Sequence, residues 1–72
     1  MSKQQLMSEV TGSVWKITAQ VGDEIAEGDS IMIIESMKME IPVICEEPGK
    51  LLALHVKEGD PVAEGQLLAD MG

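Results

Sequence analysis

Lys38 is the residue best placed for chemistry. It lies in Glu35-Ser36-Met37-Lys38-Met39-Glu40, a short polar-interrupted stretch between the apolar runs 30–35 and 41–44. Two apolar runs joined this way make a hairpin, and Lys38 falls at its tip. A free lysine amine titrates at about 10.4, so at neutral pH it is mostly protonated and becomes a nucleophile only when that proton is removed. A two-residue hairpin turn prefers Asn-Gly or Asp-Gly, and this one has neither. By residue type alone, a solvated lysine beside two strand methionines is the ordinary reading. The rest of the chain makes Lys38 a special case.

Other reactive groups are scarce. His55 and Cys45 each stand without a partner pattern, and Tyr and Arg are absent. No nucleophile turn and no Cys/His cluster for zinc can be assembled. A chain of 72 residues has little room for a pocket of its own, which argues against an independent enzyme. Thirteen acids against five lysines give a net charge of −8. That excludes a phosphate-binding nucleic-acid surface and disfavours an anionic membrane. No apolar run approaches the roughly 20 residues of a membrane span, and no signal-peptide pattern is visible. With one cysteine no intrachain disulfide can form, so the expectation is a cytoplasmic protein.

A repeat organises the chain. Gly12, Gly22 and Gly28 fall on Gly49, Gly59 and Gly65 at an offset of 37 residues, and Asp23, Ala26 and Glu27 fall on Asp60, Ala63 and Glu64. Gly22-Asp23 and Gly59-Asp60 read as tight turns, structural rather than phosphate-binding. Between the turns the pattern alternates. Trp15, Ile17, Ala19 and Val21 are expected to share a core face, as are Leu52, Leu54 and Val56. Met32 is expected to pack with its apolar strand. Pro42, Pro48 and Pro61 mark strand ends or sheet edges. Neither copy can bury its apolar face alone. The expected fold is therefore one all-β domain over 1–72, with half-repeats at about 6–35 and 43–72 and the hairpin at 36–40. It is a flattened barrel or sandwich with pseudo-twofold symmetry and an aliphatic core.

The string from Glu35 to Glu40 resembles the Glu-Ala/Ser-Met-Lys-Met signature of biotinyl domains, the biotin carboxyl carriers. The resemblance extends over the Gly12–Val21 strand, the Gly22-Asp23 and Gly28 turns, the Gly49 strand and the region before Gly65. It implies two four-stranded antiparallel sheets and biotin amide-linked to Lys38. Biotin protein ligase would attach the group. A biotin carboxylase would load it, and a carboxyltransferase would pass the carboxyl to an acyl-CoA or keto acid. The resemblance implies that Met37 and Met39 govern presentation and transfer more than attachment. Glu35, Ser36 and Glu40 complete the motif, with both glutamates read as solvated charges. The equal glycine spacing leaves no room for the extra thumb loop of some such carriers. Two rivals remain at this point. Lipoyl carriers resemble this fold but typically carry Asp-Lys-Ala at the tip, and an unmodified interaction module would need no lysine chemistry.

Overall fold

The computed structural model describes residues 4–72, and all its regular elements are strands. In chain order they are β1 (Gln4–Met7), β2 (Gly12–Ile17), β3 (Glu24–Ile25), β4 (Ser30–Ser36), β5 (Met39–Ile44), β6 (Gly49–Leu54), β7 (Pro61–Val62) and β8 (Leu67–Met71). They form two four-stranded antiparallel sheets, ordered β5-β4-β2-β7 and β1-β8-β6-β3. Adding 37 to β2, β3 and β4 gives β6, β7 and β8, and subtracting 37 from β5 gives β1. The two sheets are thus pseudo-twofold copies, and each receives one two-residue strand from the other half: β7 on β2, and β3 on β6. The flattened sandwich expected from the repeat is the observed fold.

The turns repeat in atomic detail. Gly22 and Gly59 have φ of 100° and 91°, a backbone region that L side chains rarely adopt. Beside them Asp23 and Asp60 each accept, at 2.9 Å through Oδ2, the backbone N–H three residues back, that of Gln20 and of Lys57.

The interior obeys the twofold throughout. The buried residues fall into pairs 37 apart: Val14 with Leu51, Ala19 with Val56, Ile25 with Val62, Ile31 with Leu68, Met32 with Ala69, Ile34 with Met71, and Ser8 with Cys45. In several pairs a large residue has a small counterpart, and the buried residues of both halves form one core. Met32 is fully buried, as expected for its strand.

Three core expectations, for Trp15, Val21 and Leu52, are corrected. Trp15 is 47 % exposed rather than buried, and Val21 is 57 % exposed. The reason for Trp15 is a β-bulge. Opposite β4, Val14 pairs with Ile34 and Lys16 with Ile33, leaving Trp15 as the extra residue. A bulge shifts the phase of a period-two pattern by one, so Val14 takes the inward place and Trp15 turns out. Leu52 is its counterpart in β6, bulged against β8 and 43 % exposed. Val21 lies past the end of β2 at Ile17, where the alternation no longer applies.

Candidate functional site

The hairpin between β4 and β5 is built from ladder pairs that run to its last possible residue. Ile34 pairs with Ile41, Glu35 with Glu40 and Ser36 with Met39, which leaves Met37-Lys38 as a two-residue turn. Both turn residues are left-handed, with φ of 53° and 66°. This is the mirror-image turn that matches strand twist, and it ordinarily recruits Asn and Gly because a Cβ crowds the backbone there. Here a methionine and a lysine are held in it. Met37 is 91 % exposed, and Lys38 and Met39 are also exposed.

The base of the turn is pinned from β2. The Ser36 hydroxyl donates to the Thr11 carbonyl at 2.8 Å, and the Thr11 hydroxyl accepts the Glu64 backbone N–H at 3.2 Å. Gly12 sits against the Glu35 carbonyl so closely that a Cβ there would clash with it. Sequence reading missed Thr11 and the reason for Gly12. The repeat of Gly12 at Gly49 was the visible signal, but which carbonyl it faced depended on register.

Electrostatics at the tip are unrelaxed. Glu35 and Glu40 are direct cross-strand partners and both are exposed, an arrangement of like charges that disfavours the hairpin. Among the described residues the one salt bridge lies elsewhere, so neither glutamate is within 4.0 Å of the Lys38 ammonium. That bridge corrects the reading of His55 as partnerless: its Nε2 lies 3.0 Å from Asp70 Oδ2. Cys45 is structural, as expected. Its fully buried thiol donates to the Glu47 carbonyl at 3.1 Å, just as its counterpart Ser8 donates to Val10. Burial pushes the thiol pKa up, the hydrogen bond to the Glu47 carbonyl works against the rise, and the Asp29 and Glu47 charges add to it.

Fold and site together define a class of all-β domain that presents a lysine amine on an exposed, left-handed two-residue turn. Comparison with known proteins narrows the class. Residues 5–71 match the biotin/lipoyl family model described as "Biotin-requiring enzyme". The chain is 40 % identical over 63 residues to the biotin/lipoyl attachment protein of Bacillus subtilis, covering 88 % of this chain and 86 % of that one. It is 36 % identical over 66 residues to a biotinylated protein TB7.3 homologue of Mycobacterium leprae, covering 92 % and 93 %. It superimposes on the urea carboxylase of Kluyveromyces lactis with a TM-score of 0.94 and 40 % identity, covering all of this chain and 6 % of that one. The chain belongs to the biotin/lipoyl attachment family, as a short biotinyl domain.

The side chains fit that cofactor. A group joined by an amide needs an amine that a second protein can enclose, and Lys38 is exposed on a protruding two-residue turn.

Proposed function

We propose that the chain is a biotin carboxyl carrier and that Lys38 is its attachment residue. The observation that carries this reading is the Met37-Lys38 turn, held left-handed without glycine or asparagine and pinned at its base by Ser36 and Gly12. Strain of this kind persists where the surrounding structure over-determines it, and it gathers at functional positions. Biotin protein ligase supplies biotinyl-adenylate. The deprotonated Nζ attacks its carbonyl, an amide forms, AMP leaves, and the amine proton passes to the ligase. When bound, the group supplies a ureido nitrogen that accepts and releases a carboxyl.

The chain's own residues present the arm. The β4-β5 ladder fixes the direction in which Lys38 leaves the body, and the lysine methylenes lengthen the tether. Tethering gives a local concentration on the order of millimolar at any site within reach. Met37 and Met39 flank the stem and offer adaptable apolar contact to more than one protein surface. The carrier catalyses neither half-reaction. Its partners are the ligase, a biotin carboxylase and a carboxyltransferase acting on an acyl-CoA or keto acid. The cellular setting is the cytoplasm, with which the lone reduced thiol of Cys45 agrees.

Incubation with biotin ligase, ATP and labelled biotin tests the assignment. The wild-type chain should take up one label and Lys38→Arg none. A parallel reaction with lipoate ligase separates the rival carrier. The Met-Lys-Met tip predicts biotin, and preferential lipoylation would overturn that choice.

A further inference from the structure

The twofold that governs the core fails on the outer faces of the two sheets, and it fails in one direction. Across β2, β4 and β5, Lys16, Ile33 and Pro42 are neighbours in one row, and Ser13, Glu35 and Glu40 form the next outward row toward the turn. The first row's counterparts across β6, β8 and β1 are Ala53, Asp70 and Gln5. Trp15, the bulged residue beside the first row, has Leu52 as its counterpart. One outer face thus carries Trp15, Ile33 and Pro42. The other carries Leu52, Asp70 with its bound His55, and Gln5.

Every buried residue has a partner under the twofold, so packing explains the symmetric positions. It does not explain why the molecule's one tryptophan is left half-exposed on only one of two equivalent bulges. Tryptophan is enriched among the residues that anchor protein interfaces. Lys16 stands over the Trp15 ring, its Nζ 5.8 Å from the centroid, within reach of a cation–π contact.

We propose that the outer face of the β5-β4-β2-β7 sheet around Trp15, Ile33 and Pro42 is the docking surface for the ligase that modifies Lys38. This rests on the assignment of Lys38 made above. Two observations select that occupant. Trp15 lies opposite Ile33 and Ile34, three to four residues from the first turn residue, Met37, or about 10–13 Å at the usual strand rise. An enzyme that must enclose the bare amine has only the four-carbon lysine stem to reach along, so its surface has to come down over this part of the sheet. Enzymes acting on the far end of a biotinylated arm have no such need. The opposed Glu35 and Glu40 border the apolar row and have no cation partner among the described residues, so the surface that fits here is apolar with a basic rim.

The test is steady-state biotinylation at saturating biotin and ATP with the chain as the varied substrate. Trp15→Ala should raise KM about tenfold, equivalent to about 1.4 kcal/mol, with kcat within about twofold. Leu52→Ala, the same truncation on the opposite face, should leave KM within about twofold. Ile33→Gln should raise KM as Trp15→Ala does, which keeps the test open if one variant folds poorly by circular dichroism. Equal KM values for Trp15→Ala and Leu52→Ala would overturn the proposal. So would unchanged ligation with slowed carboxylation, which would assign the face to a carboxylase. A wild-type chain that takes no biotin would fail at the first step and overturn the Lys38 assignment with it.

Discussion

Replacing the turn residues by those its geometry favours should stabilise the protein. Met37 and Lys38 sit at φ 53° and 66°. A left-handed residue with a Cβ costs roughly 1–2 kcal/mol, and asparagine tolerates that region better through its short polar side chain. Met37 is 91 % exposed, so removing its side chain forfeits almost no packing. Met37→Asn should therefore gain about 1 kcal/mol. Adding Lys38→Gly should gain roughly 1–2 kcal/mol more, less about 0.5–1 for the extra freedom of glycine in the unfolded chain. In a domain of this size each kcal/mol moves Tm by about 4–8 °C. Thermal unfolding followed by far-UV circular dichroism should show a rise of about 4–8 °C for Met37→Asn and a larger one for the double variant. Urea midpoints should shift in step at unchanged slope. If both variants melt at or below the wild-type temperature, the turn is not strained and the functional reading loses its main physical support.

Gly12→Ala should cost about 3 kcal/mol by urea unfolding, because the new Cβ meets the Glu35 carbonyl inside a ladder that cannot give. Gly49→Ala should cost less, since the matching contact with the Gly72 carbonyl is looser at 2.8 Å. Cys45 should resist alkylation in the native state and react readily in urea. Its raised pKa also sets a pH dependence. Well below the ordinary thiol pKa the group is protonated in both states and contributes no slope. Above that the unfolded chain ionises first, so stability falls as pH climbs toward the folded-state value. Urea midpoints at pH 8 and 10 should drop further for wild type than for Cys45→Ser, a change the fold accommodates at the equivalent Ser8.

Much of this was legible from one chain because the repeat does double duty. Glycines at a fixed offset reveal both the turns and the twofold, and the twofold places Lys38 at a pivot. The absence of Asn-Gly at the tip likewise foretold an atypical turn. Trp15 was misplaced because period-two reading assumes an unbroken ladder, and a bulge has no marker in Val14-Trp15-Lys16. Val21 was misplaced because β2 ends four residues earlier, after Ile17, without a proline or glycine to announce it. The His55–Asp70 contact joins the end of β6 to β8, and the Ser36–Thr11 bond joins the hairpin base to the start of β2. Contacts of that kind depend on register across strands, which residue spacing alone does not supply.

The central claim is that one amine of five carries the cofactor. Intact mass followed by peptide mapping, on chain co-expressed with biotin ligase, tests it most directly. A single biotinyl group, located on Lys38, is expected, with an unmodified mass for Lys38→Arg. Biotin on Lys3, Lys16, Lys50 or Lys57, or a lipoyl group in its place, would contradict it.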